Sequence, residues 1–312
     1  MKVKRGVPQG SILGPLLFIL YINDLPNSIM KNATPIIFAD DTSILITGQD
    51  VNKVQDDLTL TFIQVSEWFK QNSLSLNISK TYFTHFFSKN GIHSDINITY
   101  ENNYITKAND LKFLGLKINN TLSWKSHIET ILPKLSSACY AMRSLKPLVS
   151  QQMLHVVYYS HFHTIISYGL MFWGNSAHSN RVFRMQKKII RIMTGSRSRD
   201  SCRKLFGHLN ILPLPSLYIF SILRFVAKNR GLFATNNEIH EHDTRQVHNL
   251  HLPPANLKKY QSGVFYMGIK LYNCLPPHIK EESNNKIKFE SLLKKFLLDN
   301  IFYSLNEFYN FT

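Results

Sequence analysis

The 312-residue sequence predicts an α+β fold in its amino-terminal part, followed by helices. Three features carry that prediction. Residues 36–46, IIFADDTSILI, place two β-branched apolar runs on either side of a short polar Ala-Asp-Asp-Thr, which is the pattern of a tight hairpin. Val51, Val54, Leu58, Phe62, Val65 and Phe69 then recur at intervals of three and four, as in an amphipathic helix. Apolar runs at 74–78, 82–87, 96–100 and 111–118 read as strands, whereas 128–146, 151–163 and 179–193 return to helical periodicity. The order helix, hairpin, helix, strands suits helices packed on one face of an antiparallel sheet. It divides the chain into 1–125, a basic helical region 126–205, and a carboxy-terminal helical region 206–312.

Each element has a local reason. Gly6-Val7-Pro8-Gln9-Gly10-Ser11 reads as a stiffened loop whose glycines allow close backbone approach and whose serine can cap the helix after it. Such a loop can receive a phosphate or a nucleotide sugar on its free N–H groups. Residues 16–25 are apolar on nearly every face, so they are expected to be buried, with Pro26 ending the helix. In the hairpin, Asp40 and Asp41 have two readings. Aspartate favours turns for its own sake, and the turn also presents two adjacent carboxylates at the end of an apolar ribbon. Asp50 is placed to cap the amphipathic helix, and Ser79-Lys80 sits in a turn between the strand runs 74–78 and 82–87.

Charge narrows the function. The net charge of +16 points to an anionic partner, nucleic acid before acidic membrane. Residues 126–205 hold twelve Lys/Arg against Glu129 and Asp200, so +10 of the +16 lies there. On a helical wheel Arg181, Arg184, Lys188 and Arg191 share a stripe beside apolar Met185, Ile189, Ile192 and Met193. Without acidic partners on that stripe, a phosphate-backbone track is favoured over a solvated face or a membrane-surface helix.

Cys139, Cys202 and Cys274 are too scattered for a disulfide framework or a zinc site. The pairs His161/His163, His240/His242 and His248/His251 lack a ligand spacing with Cys or Glu. The basic start and the apolar run 12–22 imitate a secretory signal, but Gly6, Pro8, Gln9, Gly10 and Pro15 interrupt it. That run is also too short to span a bilayer. The expectation is an intracellular protein of nucleus or cytoplasm, not secreted and not membrane-bound. Farther on, Leu212-Pro213-Leu214-Pro215 is a rigid break, 218–227 an apolar helix, 236–249 a polar loop, and 260–275 and 289–298 helices.

Gly6-Val7-Pro8-Gln9-Gly10-Ser11-Ile12-Leu13-Gly14-Pro15-Leu16-Leu17-Phe18, Tyr21-Ile22-Asn23-Asp24-Leu25-Pro26 and Phe38-Ala39-Asp40-Asp41-Thr42, in one order and spacing, form a specific set. They resemble the palm motifs of reverse transcriptases from non-long-terminal-repeat retrotransposons, closest to the jockey-like group. Leu76-Asn77-Ile78-Ser79-Lys80-Thr81 and Phe113-Leu114-Gly115-Leu116 resemble the next two motifs. Residues 122–128, Tyr168-Gly169, Trp173-Gly174 and Leu271-Tyr272-Asn273-Cys274-Leu275-Pro276 resemble the tail of the same polyproteins.

The resemblance implies a polymerase palm, an antiparallel sheet with packed helices, then an all-α thumb and a small helical terminal domain. It implies RNA-directed DNA synthesis on an RNA template and DNA primer from deoxynucleoside triphosphates, with Mg2+ held by Asp40 and, less directly, Asp41. It also implies catalysis by Asp40, Asp41 and Lys80, the last protonating pyrophosphate, and a nucleotide pocket at Gln9 and Gly10. Phe113, Leu114, Gly115 and Leu116 would form a primer grip, and Arg181, Arg184, Lys188 and Arg191 would line the thumb. The family's fingers and first catalytic aspartate precede the Gly6–Ser11 motif. The expectation is therefore a truncated copy, inactive alone, with a non-catalytic nucleic-acid-binding remnant as the alternative. No oligomeric state follows from the sequence.

Overall fold

A computed structural model describes residues 7–8, 10–86, 96–100, 103–239 and 249–311. The fold is mixed helix and small sheets, an α+β chain that divides into two compact units, Met1–Leu111 and Lys112–Thr312.

In the first unit, helix α1 spans Leu13–Ile22, and a 3-10 turn at Leu25–Ser28 carries Pro26. Strands β1 (Ala33–Phe38) and β2 (Asp41–Ile46) pair antiparallel from Ala33↔Ile46 to Phe38↔Asp41, which leaves Ala39 and Asp40 as the whole turn. Helix α2 (Val51–Gln71) begins where Asp50 accepts a hydrogen bond from the Asn52 N–H at 3.0 Å, the expected cap. Ile37, Ile44 and Ile46 of the hairpin join Val65, Trp68 and Phe69 of α2 and Phe18 and Ile22 of α1 in a small core. Alternation along the strand sends Ile36 and Phe38 to the other face, where both are exposed.

Two expectations for this unit are corrected. Helix α1 is mostly exposed rather than buried: Ile12 is 94% exposed, and Leu13, Leu16, Leu17, Ile19 and Leu20 are also exposed. Its Phe18 and Ile22 edge meets the core, with the Tyr21 ring edge-on to Trp68. The strands also do not form one antiparallel sheet. The described residues hold four separate two-stranded ladders. Residues 74–78 form no strand: Ser73 adopts φ 56°, Leu74 folds back on α2, and Ile78–Lys80 closes a 3-10 turn. Of the run 82–87, the described residues 82–86 keep only β3 (Tyr82–Phe83), parallel to β6 (Thr106–Lys107), while β4 (Thr99–Tyr100) pairs with β5 (Asn103–Tyr104).

The run 111–118 is a hairpin rather than one strand, with β7 (Asp110–Phe113) turning through Leu114-Gly115 into β8 (Leu116–Asn119). Both turn residues have positive φ, 45° and 81°, the backbone of a two-residue turn whose twist matches the strands.

The second unit is helical after this hairpin. Helix α3 (Lys125–Leu145) lies along α7 (Ser179–Thr194). Between them α4 (Gln151–Val157) continues through a π-turn, Tyr158–His163, into α5 (Thr164–Ser167), and α6 is Leu170–Trp173. Then come α8 (Arg203–His208), α9 (Leu214–Lys228), α10 (Asn236–Ile239), α11 (Lys258–Gln261), α12 (Val264–Asn273), α13 (Pro277–Lys280), α14 (Lys286–Asn300) and α15 (Leu305–Phe311). Most of the expected 236–249 loop lies outside the described residues. One core draws on every helix from α3 to α15 except α10 and α11, with Trp173, Tyr158, Tyr218, Phe162, Phe206 and Phe289 fully buried in it.

A buried amide ties this core together. Gln186 of α7 donates to the Leu212 carbonyl at 2.9 Å and to the Tyr158 hydroxyl at 3.0 Å. Its oxygen accepts from the Leu214 N–H at 2.7 Å, a first-turn donor of α9 that no residue of its own helix can satisfy. The Leu212–Pro215 break is thus held by a polar side chain from another helix. Asn273 makes a comparable clip, bonding the Leu250 N–H and carbonyl at 2.8 Å each.

Candidate functional site

The turn of the β1–β2 hairpin carries two adjacent exposed carboxylates, Asp40 and Asp41. Asp41 pairs across from Phe38, so its side chain shares the solvent face with Phe38 and Ile36. Ala39, just before them, sits at φ 52°, a left-handed conformation disfavoured for a residue with a Cβ. Backbone strain of this kind is held in place by its surroundings and concentrates where function needs a fixed geometry. Here the packed Ile37, Ile44 and Ile46 hold the ribbon that imposes it.

The carboxylates are hard oxygen donors and suit a magnesium ion, which binds through one or two carboxylates and completes its shell with water and substrate phosphate. No group of three or more His, Cys, Asp or Glu able to hold a metal occurs among the described residues. Lys80 is exposed at the end of the Ile78–Lys80 turn, and no hydrogen bond or ion pair among the described residues joins it to Asp40 or Asp41. Gly10 adopts φ 84° in a turn closed by the Ser11 N–H on the Pro8 carbonyl at 3.1 Å, and Ser11 Oγ accepts from the Gly14 N–H at 3.1 Å. Gln9 lies outside the described residues.

In the second unit, Glu129 meets Arg181 at 3.5 Å, Cys139 Sγ reaches the Met185 carbonyl at 4.0 Å, and Lys146 Nζ lies against Gly195. Helices α3 and α7 therefore run parallel. The four residues of the expected stripe differ in availability. Arg181 is shared with Glu129 in a surface pair, and Arg191 Nε donates to the Asp200 carbonyl at 2.9 Å. Arg184 and Lys188 are exposed and carry no ion pair or hydrogen bond among the described residues. Burial pushes the Cys139 thiol up to about 11 against the opposing pull of Lys188 and Arg143. Arg143, from α3, was not apparent in a single-helix wheel.

The Phe113, Leu114, Gly115, Leu116 turn is anchored by residues whose role the sequence did not indicate. The Tyr168 hydroxyl donates to the Leu114 carbonyl. Trp173 Nε1 donates to the Tyr168 carbonyl at 3.0 Å, and the Lys117 N–H donates to His127 Nδ1 at 3.3 Å. His127 is buried between Trp124 and Trp173, and burial, then Lys134, holds its imidazole below the ordinary 6.5. A Cβ on Gly169 would lie 2.6 Å from Leu116 Cδ2, and one on Gly174 would lie 2.5 Å from Tyr218 Cδ2. The motif glycines at 169 and 174 are thus places of close packing.

Residues 1–118 match the family described as reverse transcriptase (RNA-dependent DNA polymerase). The chain is 27% identical over 201 residues to a probable RNA-directed DNA polymerase from transposon X-element of Drosophila melanogaster, covering 62% of this chain and 22% of that protein. It is 26% identical over 203 residues to the one from transposon BS of the same fly, covering 62% of this chain and 22% of that protein. It is 24% identical over 218 residues to the RNA-directed DNA polymerase from mobile element jockey of Drosophila funebris, covering 64% and 23%. The chain spans under a quarter of the length of these relatives. No solved structure matches it significantly.

Proposed function

We propose that this chain, which resembles the reverse transcriptases of non-long-terminal-repeat retrotransposons, contributes the acidic hairpin and the duplex-binding surface of an RNA-directed DNA polymerase. On this reading residues 1–125 are palm, 126–205 a thumb-like region, and 206–312 a helical domain that supports it. The observation that carries it is the Asp40-Asp41 pair, exposed where the strained Ala39-Asp40 turn enters β2 of a packed hairpin, within the family match.

Asp40, with Asp41 in support, would hold Mg2+. Such an ion lowers the pKa of a primer 3′ hydroxyl and neutralises a leaving pyrophosphate. Gly10 with Gln9 would shape the nucleotide pocket, and Lys80 would donate a proton to pyrophosphate. The Phe113–Leu116 turn would grip the primer strand. Arg184 and Lys188, with Arg143 and in part Arg181 and Arg191, would face phosphates of an RNA template and DNA primer. No described helix is long and apolar enough to cross a membrane.

The test is binding of an RNA–DNA hybrid by the chain, followed by deoxynucleotide retention in Mg2+. Affinity should fall steeply with salt, and Arg184→Glu with Lys188→Glu should weaken it by about tenfold or more. Unchanged affinity would remove the phosphate track. Asp40→Ala should abolish Mg2+-dependent nucleotide retention without weakening hybrid binding in EDTA. A second reading, a nucleic-acid-binding protein without catalysis, draws on Arg184 and Lys188, which are exposed and can meet phosphates without any metal. It predicts hybrid binding indifferent both to Mg2+ and to Asp40→Ala.

A further inference from the structure

We propose that Tyr168 is a positioning residue that sets the Leu114-Gly115 turn against the terminal nucleotides of a primer strand, an inference that rests on the polymerase reading above. The turn is a strained one. Leu114 sits at φ 45°, a backbone region that a branched side chain rarely adopts, and such a conformation persists only when its surroundings over-determine it. The surroundings here do so from several directions.

The Tyr168 hydroxyl holds the carbonyl of the strained residue itself. Its ring lies so close to Gly115 that a Cβ there would stand 3.3 Å from Cε1 and 3.4 Å from the hydroxyl oxygen. Tyr168 is fixed in turn at its own carbonyl by the Trp173 indole, 3.0 Å away, in the core of the helical unit. At the other end of the turn, Gly169 admits Leu116, and His127 accepts the Lys117 N–H. Tyr168 is nevertheless 54% exposed. A tyrosine held only for core stability would be buried, whereas this one stands at the surface with its hydroxyl committed to one carbonyl of an exposed turn. The chain of bonds Trp173, Tyr168, Leu114 makes the turn's position a property of the helical core, so the turn and the helices move as one body when a strand is gripped.

The test uses the full chain bound to an RNA template and a DNA primer carrying a photoreactive 4-thiothymidine at its 3′ end. Wild type should crosslink within residues 113–116. Tyr168→Phe keeps the ring and loses the hydroxyl. It should leave hybrid affinity within about twofold, since the phosphate contacts carry affinity. It should cut the 113–116 crosslink about tenfold, since small displacements at a positioned group are costly. Gly115→Ala, whose Cβ would crowd the Tyr168 ring at a φ of 81° that strains any L side chain, should give the same loss. A purely structural Tyr168 would lower Tm without changing where the primer end crosslinks. Wild-type crosslinking at 113–116 that persists in Tyr168→Phe at equal affinity overturns the inference and leaves the polymerase reading standing. A wild-type chain that does not bind the hybrid overturns the polymerase reading, and this inference with it.

Discussion

At the scale of single residues, the two kinds of polar group in this chain behave oppositely. Asp40 and Asp41 stand in water at a hairpin tip, and that place was legible because adjacent acids between β-branched runs make an unusual string. His127 is the reverse case, a lone histidine in a helix whose surroundings come from 46 residues farther on at Trp173, where no local pattern can point. Its Nδ1 must stay unprotonated to accept the Lys117 N–H, and its Nε2 is buried without a partner among the described residues. His163 is also held below 6.5, by burial and then by Lys294. Both imidazoles are therefore neutral when folded at pH values where the unfolded chain begins to bind protons. The unfolded state takes up more protons below about 6.5, so stability should fall as pH drops through that value and level off once the folded groups also titrate. Urea midpoints at pH 7.5 and pH 5.5 check this, with His127→Gln flattening the difference. A midpoint that rises on acidification across this window would contradict the burial argument.

At the scale of elements, the helices and the β1–β2 hairpin were legible and the later strands were not, for a physical reason. The Asp50 cap and the apolar spacing of residues 51–69 are local, and α2 appears where they place it. The run 111–118 has the composition of a strand, but its direction reverses at Leu114-Gly115 because tertiary bonds from Tyr168 and His127 hold a turn that local preference alone would not choose. Helix α7 shows both sides of this. Its charged stripe follows from its own sequence, while the polar residue on which its packing depends, Gln186, looks from sequence like one more surface side chain. Replacing it as Gln186→Leu would keep the bulk and remove three hydrogen bonds. The Leu214 N–H and the Leu212 carbonyl would be left buried and unpaired. With roughly 1–3 kcal/mol for each unsatisfied group, a loss of about 3 kcal/mol is expected in equilibrium unfolding. A loss below about 1 kcal/mol would mean that the α9 start finds another partner.

At the scale of the whole molecule, net charge was legible at once and division into units was not. The excess of Lys/Arg is additive along the chain, so it survives any error in element boundaries. Compactness depends on which apolar residues find partners. Residues 16–25 illustrate the difference, because their composition says that they are apolar but does not say what covers them. The outcome is two very unequal cores. The first unit buries Ile22, Leu25, Ile29, Ala33, Val65 and Trp68 in its main cluster, whereas the second gathers most of its helices around Trp173, Tyr158, Tyr218 and Phe162. Hydrophobic stabilisation scales with the apolar area removed from water, at about 25 cal/mol per Å2, so the smaller core resists denaturant less. Unfolding in urea should therefore proceed in two steps, the first unit opening before the second. The three tryptophans separate the steps, since Trp68 reports on the first core while Trp124 and Trp173 report on the second. In Trp68→Phe the early fluorescence transition should vanish, and the late one should keep its midpoint. Hydrogen exchange should agree, with the amides of α3, α7 and α9 protected at urea concentrations where those of α2 already exchange. A single transition seen alike by Trp68 and Trp173 would mean that the two units fold as one cooperative body, and the division at residues 111 and 112 would then carry no energetic meaning.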